Sequence, residues 1–491
     1  MVSFLMGEGE KMQHTEGRTG MSSQARLIVM ALLAVLAGLP AAPAFAQNLA
    51  NVPASSPLQK RVGAAVAAVC GQFIAANAAS PATAVGRDDG TAQGDLFGRC
   101  GDMVHNANAL LGSGPTAFSL GLAANSLNDA LSEIAHDEAA AQGANSTQNT
   151  DIQVDNLTGR LAALRGGAKG VSLAALRLRD SSGQLLAADE NWLDSRLAAG
   201  EDGGEAPLSR LGLFVTGEYS FGEDDGSREE AGYDFDGYGV TAGADYKLSE
   251  NLIAGAAFGY TRINNDYDNN GGELDQDTYS LSLYASIYSG PLYFDGIVSY
   301  ALSKNDTDRV IGYGGAVRPV NRIARSDTDG EEFSISAGMG YEFSRGAWSL
   351  GPFARASYSD TDLDSYKETG ASGLNLAVDN QNVTSFETSL GGDVSYSHST
   401  NFGVVIPNLR LEWVHEFDND SRQIGAQYVN DPRNNRFFVR TDSPDRNSYI
   451  LGGGLSAILA GGKTLFAEVE SAVGKEDYER YVFRIGGRLE L

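Results

Sequence analysis

From Leu211 onward, apolar side chains return at every second position in one stretch after another, so the segments must be extended strands whose two faces meet different surroundings. The alternation runs through Leu211, Leu213 and Val215, then Tyr238, Val240, Ala242 and Ala244, then Leu252, Ala254, Ala256, Phe258 and Tyr260. It continues at Tyr279, Leu281, Leu283, Ala285 and Ile287, at Leu292, Phe294, Val298 and Tyr300, and at Phe333, Ile335, Ala337, Met339, Tyr341 and Phe343. Six more stretches lie near residues 348–360, 384–397, 405–418, 447–459, 463–474 and 479–491, which makes twelve strands. Most exceed the roughly nine to eleven residues that cross a bilayer at a tilt. The last, YVFRIGGRLEL, places Tyr481, Phe483, Ile485, Leu489 and Leu491 on one face and Arg484, Arg488 and Glu490 among the polar positions between them. A membrane barrel whose last strand closes on its first, with lipid outside and a wet lumen inside, satisfies both faces. A large soluble β-sandwich is the rival.

The connections alternate in length. Short turns stand at 249–251, 289–291, 344–347, 399–402 and 461–463, and long polar loops around 222–231, 264–275, 304–327, 361–382 and 419–446. Outer-membrane barrels keep short turns in the periplasm and long loops outside, and an even strand number returns both barrel ends to the periplasm. The helical half is therefore expected to start on that side. The polar partners of the alternation include Ser280, Ser282, Ser286, Ser334, Ser336 and Glu342, with Glu387, Asp393, Arg410, Glu412 and Glu416 further along. With Glu468, Glu470, Arg484 and Arg488 they are expected to face the lumen, where charges of both signs can form ion-pair ladders.

Upstream the texture changes. Arg26, the apolar run Leu27 to Leu39 and the small-residue site Ala44 to Ala46 read as a signal peptide over 1–46, with Met21 a possible alternative start. No later run reaches the eighteen or so apolar residues of a spanning helix. Residues 47–200 are alanine-rich with helical stripes: Val62, Val66, Val69 and Phe73; Phe97, Cys100, Val104 and Leu111; Leu127, Leu131 and Ile134; Val154, Leu157, Leu161 and Leu164. Gly166 and Gly167 are expected to end the fourth helix, and 201–208 reads as a linker before the barrel at 209–491. Cys70 and Cys100 either form one disulfide, which would tie the first two helices together, or stay as buried thiols. A net charge of −27, from 63 acidic against 36 basic residues, excludes nucleic acid as a partner. Sixty glycines with twenty tyrosines and twenty phenylalanines suit many strands, turns and aromatic girdles.

Three stretches taken together resemble the autotransporter β-domain of type V secretion: PNLRLEWVHEFDNDSR from Pro407 to Arg422, Ser443 to Gly474, and the alternating closing strand. The resemblance implies a twelve-stranded barrel threaded by a helix, for which 153–166 and 188–199 are the candidates, and a passenger that can reach the cell surface. It also implies outer-membrane lipid, the barrel-assembly machinery and periplasmic chaperones as partners. Tyr481, Phe483, Ile485, Leu489 and Leu491 would carry the membrane-insertion signal, although such strands usually end in an aromatic residue and this one ends in Leu491. The passenger is short and lacks the Gly-rich repeats of long β-solenoids. A hairpin locked by Cys70 and Cys100 would thread a narrow lumen badly, so the disulfide forms late or this half stays periplasmic.

Catalytic chemistry is not legible. There is no G-x-S-x-G motif, and GDLFG at Gly94 lacks the serine. His105 and His136 have no persuasive Ser or Asp arrangement and read as helix-surface residues. GGAKGVS at Gly166 lacks the spacing of a phosphate loop. DYDNNGGELDQD places Asp266, Asp268, Asn270 and Gly271 at calcium-loop spacing, but its twelfth residue is Asp277 and strands flank it, so it reads as an acidic outer turn. No cofactor or metal is expected. The expected function is an outer-membrane autotransporter translocator that anchors, and can export, its own short passenger. Two rivals are a resident barrel with a periplasmic or lumenal helical module acting in adhesion or envelope integrity, and a hydrolase passenger.

Overall fold

The computed structural model describes residues 47–79, 87, 89–136, 138–168, 210–227, 229–314, 318–460 and 462–490. The signal segment 1–46, the candidate helix 188–199, the linker 201–208 and Leu491 lie outside the described residues.

Twelve antiparallel strands form a closed barrel: β1 (Leu211–Asp224), β2 (Tyr233–Ser249), β3 (Leu252–Tyr267), β4 (Gly272–Ser289), β5 (Leu292–Tyr313) and β6 (Val320–Tyr341). β7 (Trp348–Leu363), β8 (Gln381–Tyr396), β9 (Gly403–Glu416), β10 (Asn447–Leu459), β11 (Lys463–Val473) and β12 (Tyr478–Glu490) complete it. β12 pairs back onto β1 from Gly212↔Glu490 to Asp224↔Tyr478, so no barrel edge is left open. The period-two pattern sorts the faces: Leu281, Leu283 and Ile485 are 60%, 62% and 68% exposed, while Ser282 and Glu412 between such residues are 0%. So continuous an apolar outer face is stable only against lipid. At the closing seam Phe221 of β1 stacks on Phe483 and Tyr481 of β12.

Two of the expected long loops are largely strand. β3 and β4 continue to a tight turn at Asp268–Asn270, and β5 and β6 pair as far as Tyr313↔Val320. Polar residues do not stop the ladder, because outward Arg262, Asp275, Asp277, Lys304 and Asp306 pair with one another in solvent, while inward Gln276 and Asn305 share a hydrogen bond of 2.7 Å. The acidic turn is a hairpin: Asp277 lies down β4 and takes Arg262 and the Tyr260 hydroxyl, and no metal-ligand group occurs among the described residues. Above the other long connections, short strands at Tyr366–Lys367, Leu376–Val378, Gln423–Tyr428 and Arg436–Arg440 form a second, four-stranded sheet.

Four α-helices precede the barrel among the described residues: α1 (Pro57–Ala79), α2 (Ala92–Leu111), α3 (Ala124–Glu133) and α4 (Ala139–Ala168). Thr91 caps α2 by accepting the Gly94 N–H at 2.9 Å, and Gly112 ends it in the left-handed region at φ 66°. Cys70 and Cys100 are disulfide-bonded, with Cα atoms 5.7 Å apart, and join α1 to α2. The helical stripes pack on the long-loop end of the barrel rather than on one another alone. Val62, Val66, Leu96, Met103, Leu127 and Leu131 share one core with Ile311, Tyr313, Leu374, Leu376, Ile424, Tyr428, Phe437 and Val439. Each such side chain fully buried contributes about 1.5–3 kcal/mol, so α1–α3 form a cap that is part of the loop structure.

That position overturns the expectation that the helical half starts at the short-turn end. The reason is α4, which carries the chain through the barrel. His136 is not on a helix surface either: it is 2% exposed between α3 and α4, with Nε2 3.2 Å from the Ile424 carbonyl oxygen.

Candidate functional site: the helix-threaded lumen

The direction of α4 can be read along β5. Gln142 donates to Thr307 near the long-loop end of β5, and Arg165 donates to Asp295 beside its short-turn start at 2.5 Å. The 23 helical steps from Gln142 to Arg165 span about 35 Å, comparable with the rise of the tilted strand over the same interval. Of the two candidate lumen helices, 153–166 is the C-terminal half of this one.

One stripe of α4 seats it on the β2–β5 wall. Gln142, Asn145, Asn149, Gln153, Asn156 and Arg160 follow at intervals of three or four residues and so share a face. Asn145 donates to Asn265 at 2.7 Å, and Asn149 donates to Gln276 and Thr278 at 2.6 and 3.0 Å. Gln153 donates to Ser282 at 3.0 Å, and Asn156 to Thr241 at 3.1 Å. Arg160 forms a two-pronged pair with Asp245 at 2.7 and 3.0 Å, the strong geometry for guanidinium and carboxylate. A polar face on a buried helix is tolerable because the inward residues of the strands supply partners.

Opposite, Asp155 accepts from Arg355 of β7 at 3.2 Å and from Arg484 of β12 at 3.4 Å. Arg355 also donates to Glu412 at 2.7 Å, as does Arg410 at 2.5 Å, and Arg484 donates to Glu218 and Glu470 at 2.9 and 2.5 Å. Asp155, Glu412, Glu218 and Glu470 with Arg355, Arg410 and Arg484 form one charge network across the lumen.

Of the residues picked from sequence, Glu412, Glu470 and Arg484 are buried in this network, and Arg410 joins it. Glu416 is buried nearer the outer end, where it accepts from Ser385 at 2.6 Å and from the Phe386 N–H at 3.0 Å. Glu342 lies 3.6 Å from Arg165, and Arg488 donates to the Gly159 carbonyl oxygen at 3.3 Å. Glu387 lines the outer part of the lumen, and Asp393 and Glu468 the inner part. Tyr481, Phe483 and Ile485 point to lipid, and Leu489 is half-buried. Sequence reasoning missed Asp155, Arg160, Arg165, Glu218, Asp245, Asp295 and Arg355. Glu218, Asp245 and Asp295 stood at inward positions of strands already recognised, which was the available signal.

A second unforeseen feature lines the short-turn half. Phe214, Tyr284, Tyr293, Phe353 and Phe466 point inward, and each ring sits against a glycine of an adjacent strand: Gly243, Gly255, Gly340, Gly391 and Gly486. A Cβ at any of these glycines would overlap the ring. Arginines cover four of the rings, with Arg165 3.6 Å from the Tyr293 centroid, Arg488 4.2 Å from Phe466, Arg410 5.0 Å from Phe353 and Arg160 5.3 Å from Phe214. Much of the expected wet lumen is therefore filled by helix and rings.

The family model of the autotransporter β-domain matches residues 213–470, more than half of the chain. The chain belongs to that family. As an autotransporter it is an outer-membrane translocator of the Gram-negative envelope that anchors a passenger, and its barrel itself carries no catalytic function. It is similar to esterase EstA of Pseudomonas aeruginosa, 26% identical over 275 residues, which are 55% of this chain and 41% of that protein. It is also similar to an extracellular serine protease of Serratia marcescens, 26% identical over 58% of this chain and 25% of that protein. The autotransporter thus spans less than half the length of either relative. Among solved structures, the translocator domain of autotransporter NalP from Neisseria meningitidis is similar over 61% of this chain and 94% of that one, at 19% identity and TM-score 0.46.

Proposed function

We propose that this autotransporter carries residues 47–136 across the outer membrane and keeps them at the cell surface as a folded cap on its own loops. The observation that supports this is the direction of α4: its first turn lies at the long-loop end, where Tyr267 donates to the Glu138 carbonyl oxygen at 2.8 Å, and its last turn at the short-turn end, where Arg165 meets Asp295. A periplasmic helical module would need α1–α3 at the short turns. The proposed division is a signal peptide over 1–46, the displayed module and lumen helix within 47–200, a linker at 201–208 and the barrel from 209. Tyr481, Phe483, Ile485, Leu489 and Leu491 are the proposed insertion signal, read by the barrel-assembly machinery after periplasmic chaperones deliver the chain.

The names of the similar esterase and protease raise a hydrolytic passenger. Display is the better supported reading, because the two histidines of the cap serve packing: His136 is buried against Ile424, and His105 accepts the Phe118 N–H at 3.0 Å. The test is an epitope inserted at Asp89–Gly90, an exposed turn before α2. Antibody should label intact cells. Labelling only after outer-membrane permeabilisation would overturn the proposal.

A further inference from the structure

We propose that the lumen retains a latent, cation-selective water path beside α4, closed at one point by the Asp155–Arg355 ion pair. The wall stripe of α4 is seated on β2–β5, but on its other side the helix does not fill the barrel. Two cavities lie there, of about 500 and 530 Å³. Each has room for on the order of ten waters and is lined by polar groups that would hold them.

The first cavity reaches the short-turn end, where Ser344, Gly346, Ala347 and Ser397 line it. The second reaches the loop end, where Asp420, Asp442 and Asp445 line it. Among the described residues Asp155 and Arg355 are the two that line both. Their contact at 3.2 Å is therefore a septum one ion pair thick, backed by Glu412 on the outer side and Arg484 on the inner.

The ends differ in charge. Asp225, Glu416, Asp418, Asp420, Asp442 and Asp445 line the outer cavity and outnumber its cationic residues Arg355, Arg422, Lys475 and Arg480. Carboxylates concentrated in a low-dielectric cleft raise the local cation concentration and repel anions. A path through both cavities would then pass cations. This inference does not depend on which compartment the cap reaches, so it can fail while display at the surface holds, and the reverse.

The experiment is conductance of the purified full chain in planar bilayers, with folding checked by heat-modifiable gel mobility. The wild type and Thr116→Ala, a change on the exposed cap surface, should show a low conductance. Asp155→Ala and Arg355→Ala should each raise it several-fold, with reversal potentials in a KCl gradient displaced toward the potassium value. If Asp155→Ala does not assemble, the isosteric Asp155→Asn replaces it. Folded Asp155 and Arg355 variants that conduct like the wild type would overturn the proposal, and so would an increase carried by chloride.

Discussion

Gly340 and Tyr293 sit on neighbouring strands, and the ring occupies the space in which a Cβ would stand. Gly340→Ala should therefore push the ring off its seat and take Arg165 with it, costing about 1–3 kcal/mol as an overpacked core does. Adding Tyr293→Ala should recover part of that loss, because contacting residues are not additive. Unfolding midpoints of the three variants in detergent measure this coupling. Outside the membrane, His136 gives a pH dependence. Burial, and then the charge of Arg309, push its imidazole down to about 3. An unfolded histidine titrates near 6.5, so the unfolded chain binds more protons between these values, and the cap should lose up to about 1.4 kcal/mol per pH unit as pH falls below 6.5. His136→Gln should flatten the dependence in that window, followed by thermal unfolding of the cap. The opposite trend, greater stability on acidification, would show that the imidazole is charged in the fold.

At the scale of elements, α4 depends on pairs rather than on propensity, for it is long, polar and interrupted by Gly143 and Gly159. Removing Arg160 leaves Asp245 buried without its guanidinium, and breaking such a pair costs about 3–5 kcal/mol. Arg160→Met with Asp245→Leu should be much milder than either single change, because no charge is then stranded. Trypsin resistance of the barrel core and unfolding in guanidinium would separate the singles from the double. The α1–α2 hairpin has its own constraint. Its disulfide spans a sequence separation of 30 residues, a loop whose closure is worth about 3–4 kcal/mol in the chain-entropy account. Cys70→Ser with Cys100→Ser should lower the unfolding temperature of the cap while the barrel transition stays in place, as seen by calorimetry. A single merged transition at the wild-type temperature would contradict it.

For the whole molecule, cap and loops stand or fall together. Arg309 is 2% exposed, donates twice to Glu368 at 2.9 and 2.6 Å, and reaches the Glu133 carbonyl oxygen at 2.7 Å. Arg322 clasps Asp95 at 2.5 and 2.8 Å. Burial opposes the charge of Asp95, yet the hydrogen bonds and charge of Arg322 outweigh it and hold the carboxyl below its ordinary range. Deleting residues 47–136 should leave a barrel that assembles, since its strands close without the cap. Its upper sheet would then expose Ile424, Phe437 and Val439 to water, and limited proteolysis should cut within 417–446 far faster than in the full chain. Equal rates would mean that the loops hold their structure alone.

The barrel was legible in the sequence: its twelve strands, their lipid-facing residues, its closure and its up-and-down order follow from a period of two and from alternating turn lengths, both local properties of the chain. The lumen was only partly legible. Alternation tells that Arg484 is inward, but not that it meets Glu218, Glu470 and Asp155, the last of them 329 residues away. The inward rings and their glycines escaped for the same reason, since each pairing depends on the register of two strands. Polarity misled at His136, which is buried because Ile424 supplies a partner. The end of the barrel that holds the cap was decided by tertiary structure alone. Helical stripes record that a face is covered, whereas only packing against the loops, and a helix long enough to cross the barrel, decide what covers it and where.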